Sequence, residues 1–98
     1  MRETKLRDLR DSARAFLLIT TGTGKEDAVS EHLFRFEEVR ELHLVPGDWD
    51  MIAVLEVPKS LVKPPSEYVT EFVKNKVRRI AGVTHTVTLI PAESQVKA

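Results

Sequence analysis

Between Val45 and Val57 the chain reads VPGDWDMIAVLEV, which sets Asp48 and Asp50 on either side of its single tryptophan, Trp49. Gly47 stands just before them and an almost wholly apolar run just after. A glycine lets a ligand come close to the backbone. A carboxylate beside an apolar strand is held out of bulk water, where it can receive an ammonium group. A second polar set closes the chain, with Thr84, Thr86 and Thr88 at every other position of VTHTVTLI. That spacing puts them on one face of a strand, and a row of hydroxyls that donate and accept suits a small zwitterion. Carboxylate, main-chain N–H groups and hydroxyls are what the two charged ends of an amino acid require. Ordinary structural roles fit the same residues. Pro46-Gly47-Asp48 is turn chemistry, Trp49 can cover a hairpin end, and threonine favours strands on a solvated face. Side-chain chemistry alone leaves both readings standing.

Other constellations fail. Gly24-Lys25 in TTGTGKED suggests a phosphate loop, but that motif needs a glycine where Ile19 stands and a hydroxyl where Glu26 stands. A flexible turn leading into a helix accounts for the stretch. His32, His43 and His85 fall on separate predicted elements without metal-ligand spacing, so neither a metal site nor a histidine base is expected. His85 shares strand parity with Val83, Val87 and Leu89, which points to a partly buried imidazole. No serine sits in a nucleophile-elbow context, and there is no cysteine to act as nucleophile, ligand or disulfide partner.

Clear punctuation separates the elements that must position these residues. ARAFLLITT (13–21) reads as a strand ended by Gly22-Thr23-Gly24. In KEDAVSEHLFRF (25–36), Val29, Leu33 and Phe36 have helical spacing, and Thr23 with Glu26 forms a capping-box pattern. VRELHLV (39–45) and MIAVLEV (51–57) are strands flanking the Asp48–Asp50 loop. Pro64-Pro65 stops any element, and Ser66 is placed to cap a helix carrying Val69, Phe72, Val73, Val77 and Ile80. Arg78 and Arg79 suit its last turn, and Gly82 the left-handed residue beyond it. VTHTVTLI (83–90) is the last strand.

The order β-α-β-β-α-β is the ferredoxin-like α+β pattern. Right-handed crossovers then give an antiparallel sheet in the order 4-1-3-2 with both helices on one face. The two central strands are apolar on both faces, as strands covered on both sides are. A face without helices therefore needs a cover. Self-association into a dimer, and a higher assembly of dimers, supplies one. Residues 14–92 form the folded domain on this reading and 93–98 a tail. The charged segment 1–13, with Leu6, Leu9 and Ala13 at helical spacing, is open between a short helix and a frayed leader.

Ninety-eight residues suit one domain, and equal Lys+Arg and Asp+Glu totals of 15 give no net charge. That balance argues against direct nucleic-acid binding, whose footprint is strongly basic. The start has no apolar signal core, and no stretch approaches the ~18 apolar residues of a membrane span. A soluble cytoplasmic protein is expected.

The stretches AFLLITTGTGKEDAV, VPGDWDMIAVLEV and IAGVTHTVTLI together resemble the ligand-binding (RAM) domain of the Lrp/AsnC transcription regulators, from about residue 14 to 92. The G-x-x-D of the middle stretch is the most specific match. The resemblance implies a dimeric RAM-type fold that holds a free amino acid between dimers. It carries over Gly47 and Asp50, with Asp48 and Trp49 between them, and Thr86 and Thr88 as ligand-binding residues, and it implies no cofactor and no catalytic residue. The family's helix-turn-helix has no counterpart here, so the chain resembles stand-alone RAM proteins, with full-length family regulators as candidate partners. Pro46 and Ala81 stand where other residues are common. The alternative is a small dimeric α+β-barrel enzyme, monooxygenase-like or heme-handling, which shares this topology. Such an enzyme needs reactive side chains in a central cavity, and the third strand offers only Glu56 among aliphatics.

Overall fold

The computed structural model describes residues 12–58, 63–92, 94, 95 and 97. Its elements are β1 (Ser12–Thr21), α1 (Glu26–Leu33), β2 (Val39–Leu44), β3 (Met51–Pro58), α2 (Pro65–Phe72), which runs on as a π-turn over Val73–Val77, and β4 (Val83–Leu89). The sheet is antiparallel in the order β2-β3-β1-β4, the expected topology with the long β1 and β3 in its centre. Of the charged segment at 1–13, residues 1–11 lie outside the described residues, and Ser12 and Ala13 belong to β1.

Alternation along the central strands decides what is inside. Ala15, Leu17 and Ile19 of β1 and Met51, Ala53, Leu55 and Val57 of β3 are buried on one face. There they pack with Val29 and Leu33 of α1 and with Val69, Phe72, Val73 and Val77 of α2 and its π-turn. The other parity carries Phe16 opposite Val54 and Leu89, and Leu18 opposite Ile52 and Val87. No described helix lies on this second apolar face, where Val54 is buried among its neighbours but Phe16 is 36% and Leu89 50% exposed.

Both helix starts differ from the sequence reading. α1 begins at Glu26 after Lys25, with no side-chain cap. The cause is the turn before it, in which Gly24 takes φ +79° and Lys25 N–H donates to Gly22 O at 3.0 Å, so Thr23 lies inside the turn rather than at the helix end. Glu26 and Asp27 in the first turn still complement the helix dipole. α2 is entered through extended Pro64 with Pro65 in its first turn, where a missing N–H costs nothing. Ser66 is therefore already helical, and its carbonyl accepts from Thr70 Oγ1 at 2.8 Å.

β4 carries a second departure. Its register against β1 shifts between Thr20 and Thr21, where Thr20 faces His85 but Thr21 faces Val83. This bulge breaks the row of threonines. Thr86 and Thr88 lie opposite Ile19 and Leu17, on the helix-bearing side, whereas Thr84 Oγ1 meets Thr20 Oγ1 at 2.8 Å. Val83 packs against the helix-side core and so parts from His85, Val87 and Leu89.

Candidate functional site

The β2–β3 loop is closed by Val45 N–H donating to Asp50 O at 3.0 Å, and it turns through Gly47 at φ +116°. No described atom lies within 4 Å of where a Cβ on Gly47 would stand, so its backbone is open to approach. Asp50 then ties the loop to the end of β1. Its N–H donates to Ile19 O at 3.0 Å, and its Oδ2 accepts from Thr21 N–H at 2.7 Å and from Thr21 Oγ1 at 3.3 Å. Among the described residues no hydrogen bond reaches Oδ1 of this half-buried side chain. Trp49 passes on to β4, where its ring stacks on His85 with centroids 5.6 Å apart and planes 20° from parallel. The loop thus crosses the end of β1 and lands on the strand beyond.

Two further contacts hold that corner. Gly22 N–H donates to Gly82 O at 2.8 Å, tying the segment after β1 to the one before β4. Gly82 has φ +103°, and a Cβ there would stand 2.9 Å from Lys25 Cβ and 3.0 Å from Val29 Cγ2. Only glycine permits this approach. Beside it lies a cleft of about 220 Å³ lined by Arg78, Val83, Thr84, His85 and Thr86. Residues of both β4 faces line it, so it runs over the strand's outer edge. A second depression, of about 430 Å³, lies by Ser30, Glu31, Phe34, Arg35 and Leu42, away from every candidate residue.

The structure therefore brings Trp49 and Asp50 against β1 and β4 beside a cleft that Thr86 lines. Val83, which also lines it, is the register partner of the Thr21 that Asp50 holds. Gly47 and Asp48 stand exposed at the loop's outer end. Thr88 lies farther along β4, opposite Leu17, outside the cleft lining. His85 is exposed and stacked rather than partly buried, because it stays in step with Val87 and Leu89 on the helix-free face while the bulge turns Val83 to the core. Thr21, His85 and Arg78 join the site although the sequence reading gave them no part in it. For Arg78 a signal was present, since Lys74, Lys76, Arg78 and Arg79 fall in a stretch from Phe72 to Ala92 that contains no acid.

No group of three or more described His, Asp or Glu side chains is arranged to hold a metal. Glu56 is half-buried on the helix-free face, with its carboxylate 3.8 Å from Arg14 and 3.9 Å from Arg40. No described helix is long and apolar enough to cross a membrane.

Comparison with known proteins adds the family. Residues 14–97 match the Lrp/AsnC ligand binding domain. Over 62 residues the chain is 34% identical to an uncharacterised helix-turn-helix-type transcriptional regulator of Pyrococcus horikoshii; the match takes in 63% of this chain but only 37% of that relative. The crystal structure of a hypothetical protein from the same organism superposes with a TM-score of 0.69 at 30% identity, covering 84% of this chain and 92% of that one. A Neisseria meningitidis transcriptional regulator, solved as a complex with L-Met, shares the fold at a TM-score of 0.68 and 13% identity, over 95% of this chain and 56% of its own. With the match spanning nearly all the described residues, this chain belongs to the Lrp/AsnC ligand-binding domain family.

Proposed function

We infer that the protein is a regulatory rather than catalytic module, which senses a free amino acid at the corner formed by Gly47–Asp50 and the start of β4. The observation that carries this reading is Asp50. Its Oδ2 is engaged by Thr21 while Oδ1 has no described partner, beside a cleft that Thr84 and Thr86 line together with Arg78, Val83 and His85. A carboxylate in that setting suits an ammonium group, and charge-assisted hydrogen bonds are the strong ones. The open backbone at Gly47 offers N–H groups to the ligand's carboxylate, and Thr86 on the cleft a hydroxyl, with Thr88 next along the same face of β4. Asp48 and Trp49 complete the loop, with the indole as one wall. The L-Met complex of the Neisseria regulator is consistent with an amino-acid ligand.

The pocket is completed by a second subunit. The uncovered apolar face of Phe16, Leu18, Ile52, Val54, Val87 and Leu89 would pair two copies, and further dimers would join at the ligand corners. Coupling ligand to assembly is how such a module would act on full-length family regulators, by co-assembly rather than by touching DNA itself. The test is a thermal-shift screen with the twenty amino acids. A ligand at a hundred times its Kd stabilises a fold by about 2.7 kcal/mol, on the order of 10 °C for a domain of this size. One or a few amino acids should produce such a shift; no shift with any of them would overturn the reading.

A further inference from the structure

We propose that Arg78 is the specificity-determining cation of this site, so that the effector is an amino acid with an acidic side chain. The proposal rests on the amino-acid reading above and goes beyond it by naming the ligand class. The first support is the backbone that delivers Arg78. α2 departs from α-helical geometry after Phe72, and the π-turn over Val73–Val77 ends with Arg78 N–H donating to Val73 O at 2.9 Å. A π-turn inserts a residue into the helix and re-aims every side chain that follows, and such turns recur at functional sites. Here it sets Arg78 on the cleft with Thr84, His85 and Thr86.

The second support is the charge around it. No described carboxylate forms an ion pair with Arg78 or Arg79, whereas Arg14, Arg35 and Arg40 each have one; of the two unpaired arginines, Arg78 lines the cleft. Lys74, Lys76 and Arg79 surround it in sequence, and no acid occurs from Phe72 to Ala92, although the chain as a whole carries no net charge. The opposite charge, Asp50, holds Thr21, the register partner of the Val83 that lines the same cleft. Ammonium on Asp50 and α-carboxylate on the loop N–H groups and a threonine leave Arg78, the cation of the cleft lining, without a counterpart, and a second ligand carboxylate supplies it. A planar guanidinium takes a carboxylate through two parallel hydrogen bonds, which an amide side chain of the same shape cannot match.

The experiment is isothermal titration of the full chain with L-aspartate, L-glutamate, L-asparagine and L-glutamine, repeated on Arg78→Gln and Arg78→Lys. In the wild type an acid should bind tenfold or more tighter than its own amide. Arg78→Gln should erase that preference by weakening acid binding tenfold or more beyond its effect on amide binding, and Arg78→Lys should restore part of it. Unfolding midpoints equal to the wild type confirm that the exposed substitutions leave the fold intact. Equal binding of acid and amide by the wild type, or a preference that survives Arg78→Gln, overturns the proposal. So does selective binding of some other amino acid with neither acid bound, an outcome that leaves the sensing function standing. Absence of binding by all twenty amino acids removes both.

Discussion

Asp50 is asked to do two things with one carboxylate. Oδ2 completes the hydrogen bonding of Thr21 at the end of β1, and on the proposed reading Oδ1 is the oxygen offered to the ligand's ammonium group. The two roles separate by substitution. Asp50→Ala removes both, leaving a part-buried N–H unpaired at a cost of about 1–3 kcal/mol and weakening ligand binding roughly ten- to a hundredfold. Asp50→Asn keeps an oxygen for Thr21 but not the charge. Its unfolding midpoint should stay close to that of the wild type while titration shows the same loss of affinity. An Asp50→Asn variant that binds as tightly as the wild type would leave Asp50 a turn residue only. The Asp48–Asp50 loop was legible in the sequence because glycine, indole and acids of unlike chemistry stand together there. Thr84 was misplaced beside Thr86 and Thr88 because strict alternation assumes an unbroken ladder, and the bulge opposite Thr20 and Thr21 leaves no mark in residue type.

Strand parity and helix spacing carried the element order, since Leu17, Ile19, Met51 and Leu55 alternate onto one buried face that Val29, Leu33, Val69 and Val77 meet. The element ends were less legible. Thr23 with Glu26 and Ser66 after two prolines both have capping chemistry, but the Gly24 turn and the extended Pro64 set where each helix begins. The π-turn in α2 left no sequence signal, because Val73 and Val77 remain apolar at helical spacing. One tie between elements carries a pH signature. Tyr68 of α2 donates its hydroxyl to Glu38 Oε2 at 3.3 Å, just before β2. Burial, and then the nearby Glu38 charge, raise the Tyr68 pKa above its ordinary value of 10.0. A raised folded-state pKa means that this stabilisation is fully present below pH 10 and is lost as pH climbs through the folded value. Tyr68→Phe should therefore gain stability relative to the wild type as pH rises beyond about 10. Denaturant midpoints of the pair that stay in constant ratio from pH 8 to 11 would contradict this.

For the whole molecule, the sheet face away from the helices is the larger unresolved demand. Leu18, flanked by Ile52 and Val87, lies in its middle. Contiguous apolar surface of this kind marks an interface, and a two-fold dimer buries the same patch on both copies. Light scattering at micromolar concentration should give at least a dimer mass for the wild type and a smaller mass for Leu18→Asp; a monomeric wild type would contradict the expectation. The central claim, that a free amino acid enters the corner between Gly47–Asp50 and β4, has a built-in reporter. The only tryptophan of the chain, Trp49, lies in that corner, stacked on His85. The decisive measurement is Trp49 fluorescence titrated with each of the twenty amino acids. A saturable change with one or a few of them, lost in Asp50→Asn, is the predicted result. No change with any of the twenty, or a change that Asp50→Asn retains in full, contradicts it.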